Sequence, residues 1–294
     1  MSKRPLFPRE WSWPGKEKIA FTVGIPFEAF EKQSQVNFVA SKGQLDRFSL
    51  SYGDYGWKAG IWRLLNILDE YDLKASVSAN GLAAERHPQI VRTLADEGHE
   101  VNGHGWANDV YAKDATPDQE RAEITRCTKT LTEIAGVRPV GWTSPGSSGS
   151  EKTNELLAEQ GYIWVGDDAS DDLPFVEQTA HGPFVTLPRV NIFTNDISSW
   201  IFPANPTSVF LENFMNTFDQ LYREGEAGYP KWLGITLHAH MAGRPTMSNA
   251  FRRCLDYVRK HDGVFYTRSR DIAEWALQRE TNAVVFQKYS PIAH

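Results

Sequence analysis

Short apolar runs alternate with longer amphipathic stretches along almost the whole chain, and this alternation is what most limits its possible folds. Ile19-Ala20-Phe21-Thr22-Val23-Gly24-Ile25 is a buried-strand signature containing β-branched residues. Ile61, Leu64, Leu65, Ile67 and Leu68 then recur at helical spacing up to Tyr71-Asp72. The same reading predicts a strand over 74–79 and a helix through 88–94, stopped near Gly98. Strands follow at 99–103, 139–143, 162–166, 232–237 and 264–266, with helices at 117–135, 151–160, 206–225, 246–261 and 269–279. Strand, loop and helix in this order build a parallel sheet covered by helices, and at 294 residues closure into an α/β barrel is the natural solution. No linker or low-complexity stretch interrupts it, so residues 18–294 read as a single domain. Residues 1–17, rich in Pro, Trp and charge, read as an arm on the surface or on a neighbouring subunit. The polar, aromatic segment 29–56 reads as one long loop, a length that usually signals ligand binding.

In a (β/α) barrel the reactive side chains project from loops after the C-terminal ends of the strands. Those places carry Pro26-Phe27-Glu28, His104, Ser144-Pro145-Gly146, Asp167-Asp168 and His238-Ala239-His240. A formal net charge of −6 gives no attraction to nucleic acid or an anionic membrane, and leaves a sugar polymer or a small neutral ligand. No stretch approaches the ~18 apolar residues of a membrane span. The lead Met1-Ser2-Lys3-Arg4-Pro5 lacks the apolar core of a secretory signal. The expectation is a cytoplasmic protein in which Cys127 and Cys254 are free thiols.

Four motifs in order carry a resemblance. Gly98-His99-Glu100-Val101-Asn102-Gly103-His104-Gly105-Trp106-Ala107-Asn108 resembles the second signature of the polysaccharide deacetylase superfamily, where a His-x-x-x-His pair binds zinc. The opening strand resembles the first motif, Gly141-Trp142-Thr143-Ser144-Pro145 the third, and Leu237-His238 followed by Gly243-Arg244-Pro245 the motif with the catalytic histidine. The resemblance spans roughly residues 18–275 and implies a distorted (β/α) barrel of the polysaccharide-deacetylase type. Within the superfamily, the chain is most similar to the metal-independent allantoinases and cyclic imide hydrolases. Asp54-Tyr55-Gly56, Ala59-Gly60-Ile61-Trp62-Arg63-Leu64 and Asp171-Asp172-Leu173-Pro174-Phe175 look like stretches of that branch. Members of the resembling branches are oligomers, which implies a homo-oligomer, tetramer or dimer, here.

The zinc pattern is broken. A zinc deacetylase takes an Asp after the first strand and two His one helical turn apart, leaving a position for water. The corresponding places hold Gly24, Pro26 and Asn108. A site rescued by Glu28, His104 and His238 or His240 is the alternative that would keep zinc. Without metal, a side chain must take the proton of the attacking water, which suits an activated ring amide better than an acetylated sugar. The resemblance then implies Glu28, His104 and His238 as the catalytic set, with Glu28 or His104 assisting the water and His238 protonating the leaving nitrogen. Asp54, Tyr55, Trp106, Asn108, Ser144 and His240 are the candidate substrate-binding residues. Ser144 lacks the Gly-x-Ser-x-Gly context of a nucleophile elbow. Core packing would explain Trp106 equally well, turn formation Asp54, and helix capping and solvation the acidic cluster Asp167, Asp168, Asp171 and Asp172. The function expected is hydrolysis of a cyclic imide, or a similar cyclic amide or ureide, without a cofactor. A carbohydrate or peptidoglycan de-N-acetylase and an inactive barrel serving as a binding protein are the alternatives.

Overall fold

A computed structural model describes residues 7, 9–31, 47–189, 192–201 and 204–279. In chain order the elements are β1 (Ile19–Phe27), α1 (Arg47–Tyr55), a π-helical turn (Gly56–Gly60), α2 (Ile61–Glu70), β2 (Ser76–Ala79), α3 (Gly81–Arg86), α4 (Pro88–Asp96), β3 (Glu100–Gly103), α5 (Pro117–Ala135), β4 (Gly141–Trp142), α6 (Thr153–Glu159), β5 (Trp164–Asp168), β6 (Phe175–Thr179), β7 (Gly182–Pro188), α7 (Thr207–Glu226), β8 (Lys231–Thr236), α8 (Pro245–Val258), β9 (Val264–Tyr266) and α9 (Ser269–Arg279). The strands lie in the order β6-β7-β5-β4-β3-β2-β1-β8, and β9 pairs with β1. All pairings are parallel except the β6–β7 hairpin. Ile19–Phe21 pair with β9 on the edge of β1 that β2 takes from Gly24 onward. Beyond β8, Asn195 bridges Thr236 and the Thr194 hydroxyl donates to the Gly234 carbonyl at 2.8 Å. The sheet thus curls into the distorted barrel that the resemblance implied, and it is incompletely closed.

Strand parity divides the side chains. Ile19, Phe21, Val23, Ile25 and Phe27 of β1 face outward and join Val77, Leu233 and Ile235 in the main core beneath the helices. Thr22, Gly24, Pro26, Ser76, Ser78, Asn102, Gly234 and Thr236 face inward and line a lumen instead of filling it. α5 starts on a capping box between Thr116 and Gln119 and ends at Gly136 in the left-handed conformation, as its sequence signals ask.

Two expectations need correction. The segment 29–56 is not one loop: residues 47–55 form α1, while 32–46 lie outside the described residues. The arm is not a surface appendage in its described part. Trp13 is 1% exposed in a second core with Trp164, Trp232, Ile272 and Ala276, and its indole N–H donates to the Lys231 carbonyl at 3.0 Å. The Trp275 indole donates to the Ser12 carbonyl at 2.8 Å. This cluster closes the N-terminal end of the barrel. Cys127 and Cys254 are buried and free. Among the described residues no helix is long and apolar enough to cross a membrane.

If the arm is part of the core, Trp13→Ala should cost about 3–5 kcal/mol, the usual penalty for deleting a buried aromatic. Urea unfolding checks this, and a cost below about 1 kcal/mol would return the arm to the surface.

Candidate active site

The loops at the C-terminal ends of β1, β3 and β8 converge on one carboxylate. Glu28 follows β1, and its side chain is 2% exposed. Its Oε1 lies 3.3 Å from His104 Nε2 and 3.7 Å from His238 Nε2, and its Oε2 lies 3.8 Å from His240 Nδ1. Each imidazole is held from behind. His104 Nδ1 sits 2.6 Å from the Thr143 carbonyl and 3.0 Å from its hydroxyl. A carbonyl and an ionised carboxylate only accept, so both ring nitrogens of His104 are turned to acceptors, Nδ1 to Thr143 and Nε2 to Glu28. His238 Nδ1 lies 2.6 Å from Asp196 Oδ1, and its backbone N–H donates to Asp196 Oδ2 at 2.8 Å. Asp196 is fully buried at the start of the π-helical turn Ile197–Ile201. His240 is flanked edge-on by the rings of Phe30 and Tyr52, at 6.0 and 6.3 Å.

Asn80 ties the first two of these loops together. Its Oδ1 accepts from the Ala29 N–H at 3.0 Å and its Nδ2 donates to the His104 carbonyl. The backbone N–H of Asn108 donates to the Ala29 carbonyl at 2.8 Å, closing the same junction.

The cluster is electrostatically coupled. Burial alone would raise the Glu28 pKa, but the fields of His238, His240 and His104 and the hydrogen bond from His104 outweigh it and hold it down at about 2. Burial would lower His238, but Asp196 and Glu28 outweigh it and raise the pKa above its ordinary value of 6.5. Burial dominates at His240 and lowers it to about 4, so this ring is neutral at neutral pH. The arrangement sets an ionised carboxylate beside an imidazole that favours its charged form, the proton acceptor and donor that amide hydrolysis needs.

A cavity of about 800 Å³ opens over this cluster and runs down into the lumen. Glu28, His104, His238, Asn108 and Ser144 line it. Ser144 donates its backbone N–H to Asp167 at 2.9 Å, and its hydroxyl accepts from the Trp142 indole at 3.1 Å. Other expected binding residues lie elsewhere. Trp106 packs in the main core with the Arg126 guanidinium 3.3 Å over its ring. The Tyr55 hydroxyl accepts from the Arg63 guanidinium at 2.6 Å. Asp54 faces the α1–α2 junction, where it pairs with Trp57 and Lys58 at 3.3 and 3.4 Å. None of these three lines the cavity. His240 touches Glu28 from the side, not from the cavity wall.

Sequence reasoning missed Asp196, Asn80 and Thr143. Asp196 had no local signal, since its partner lies 42 positions away. Asn80, at the end of a strand and next to Gly81, was the one position whose turn chemistry pointed to a loop-bridging role.

The donor set does not fit a zinc centre. Gly24 and Pro26 bring no side-chain donor to the lumen, and Asn108 offers only an amide. Among the described residues no group of three or more His, Cys, Asp or Glu side chains is disposed to hold a metal ion.

Barrel, strand-end loops and buried carboxylate–imidazole cluster define a hydrolase of amide C–N bonds. The chain belongs to the polysaccharide deacetylase family: residues 47–165 match the family model described as polysaccharide deacetylase. A structure from Pseudomonas aeruginosa PAO1, described as a probable polysaccharide deacetylase, is 30% identical over 92% of this chain and 95% of its own, with a TM-score of 0.84. PuuE allantoinase is 29% identical over 96% of this chain and 100% of its own, with a TM-score of 0.85. The peptidoglycan deacetylase of Helicobacter pylori is 24% identical over 78% of this chain and 88% of its own length.

If Asp196 sustains the charged form of His238, and His238 acts as the acid, activity is present below the raised pKa of His238 and lost above it. Asp196→Asn should move the alkaline limb of the kcat/KM profile to lower pH and reduce the plateau on the order of 10²–10⁴-fold. An alkaline limb that stays in place would remove His238 from that role.

Proposed function

We propose that the protein opens a cyclic imide, or a similar cyclic amide or ureide, at a ring C–N bond by direct attack of water, without a metal. The observation that carries this reading is the place of Glu28: its carboxylate contacts His104 and His238 at the head of an enclosed lumen, while Gly24 and Pro26 bring no metal donor there. The similarity to an allantoinase over nearly the full chain supports it. The lumen also suits a small flat ring, because Trp164 and Trp232 line its lower end.

The step balances on these residues. Water adds to one ring carbonyl as Glu28 takes its proton, and a tetrahedral oxyanion forms beside His104. Collapse breaks the C–N bond as His238 Nε2 gives its proton to nitrogen. The proton on Glu28 then returns to His238, and the product is one acyclic molecule that carries both the freed amide nitrogen and the new carboxylic acid. Glu28 is a weak base while His238 is charged. Once His238 has given up its proton, the field that depressed Glu28 is gone, so the carboxylate holds the water's proton more firmly as the bond breaks. Asn108, buried at 5% exposure with no partner for its Oδ1, sits where it can orient ring or water.

De-N-acetylation of an amino sugar is the second reading. The matched family model and the H. pylori relative favour it, and the cavity rim carries Tyr111, Lys113, Ser147 and Ser148, groups suited to a sugar.

One assay separates the two. The protein, exhaustively chelated, is offered succinimide, maleimide, hydantoin, dihydrouracil and allantoin, with acetate release from N-acetylglucosamine oligomers measured in parallel. The proposal expects ring opening that survives chelation and falls on the order of 10²–10⁴-fold in Glu28→Gln. Loss on chelation with recovery in zinc would contradict the metal-free step. Acetate release with no ring opening would select the second reading.

A further inference from the structure

Below Glu28 the lumen wall holds a polar side chain with nothing to bind. Asn102, on β3, is fully buried, and neither its Oδ1 nor its Nδ2 has a hydrogen-bond partner among the described residues. Buried carboxamides are ordinarily paired, so an Asn with both ends empty marks a place where something else binds. Strand parity aims it at the cavity: Asn102 lies two residues before His104 on the same face of β3, roughly 6–7 Å lower along the barrel. Both residues line the cavity.

Two strands away, on β1, the same lumen is lined by a glycine that the backbone does not require. Gly24 has no left-handed φ, and a Cβ there would meet only ordinary contacts, 3.6 Å from the Ile235 carbonyl oxygen and 3.9 Å from the Thr236 hydroxyl. The sheet would tolerate alanine, so the glycine contributes empty volume. The chamber ends on two indoles whose own N–H groups are taken. Trp232 donates to the Thr22 hydroxyl at 3.0 Å and Trp164 to Glu100 at 3.1 Å, whereas Asn102 keeps both ends of its carboxamide unpaired among the described residues.

We propose that Asn102 determines specificity by pairing its carboxamide with the cis N–H and C=O edge of a ring amide, imide or ureide. This rests on the ring-opening reading. In a five- or six-membered ring the amide is held cis, so N–H and C=O point the same way and one carboxamide meets both in a planar two-bond contact. The acetamido group of an amino sugar is a trans secondary amide, whose N–H and C=O point apart. It engages one end of Asn102 and leaves the other buried and unpaired. No existing bond fixes which end of Asn102 is oxygen, so it turns to match the ring. With that edge seated low in the lumen, the scissile carbonyl rises to the level of Glu28, His104 and His238.

Wild type and Asn102→Ala are compared on succinimide and on N-methylsuccinimide, which lacks the N–H, by ring-opening rates and by calorimetric binding at millimolar ligand. Wild type should prefer succinimide by on the order of 10⁴-fold in kcat/KM, as sites built to bond a substrate N–H do. In Asn102→Ala that preference should collapse through KM, with the melting temperature unchanged, because no protein group loses a partner. Gly24→Ala should weaken both rings while remaining folded. A preference that survives Asn102→Ala, or equal losses on both substrates, would overturn the proposal. Ring opening by wild type with no preference for the N–H would overturn it and leave the ring-opening reading standing. Neither binding nor opening of any ring would end both.

Discussion

A carboxylate buried at the head of a barrel is tolerable only if positive charge surrounds it, and Glu28 imposes that condition on the rest of the site. The charge comes from His238 after β8, and His104 after β3 adds a hydrogen bond, from elements far apart in sequence. They reach Glu28 because β1 is paired in parallel register with both β2 and β8, and β2 with β3. A slip of one residue in any of these ladders would turn the inward side chains outward. The apolar faces of β1 and β8 against the helices hold that register, so the main core and the catalytic geometry have a common cause.

The same parity explains why the interior is polar. Thr22, Ser76, Ser78, Asn102 and Thr236 take the inward positions that a filled barrel would give to branched apolar residues. Stability is carried outside the sheet, beneath the helices, and below the lumen, where Trp13, Trp164 and Trp232 pack. The chamber is left free for a ligand. Gly24 and Pro26 bring no metal donor to this chamber, and under the proposed mechanism Glu28 and His238 are the proton acceptor and donor.

Much of this was legible in the sequence where local signals and tertiary packing agree. The helix 117–135, the strand 264–266 and the helix 269–279 fell at their observed limits. Glu28, His104 and His238, candidates from their places after strands and from the family resemblance, are brought together by the structure. What could not be read depends on distant contacts. α1 has Ser49, Ser51 and Gly53 in a weakly helical stretch, and resembled a loop. The β6–β7 hairpin is antiparallel within a parallel period and had no warning of its own. Trp13 fell in an arm read as surface or subunit contact and Trp106 fitted pocket or core equally, because an aromatic ring alone does not say which face will cover it. Asp196 became visible only when the fold carried it to His238.

The central claim is that Glu28 and His238 share one electrostatic unit. It is tested most directly by following the ¹⁵N resonances of His238 through a pH titration in wild type and in Glu28→Gln. The account predicts that His238 titrates above 6.5 in wild type and lower once the carboxylate is neutral. A His238 that titrates at or below 6.5 and does not respond to Glu28→Gln would contradict it.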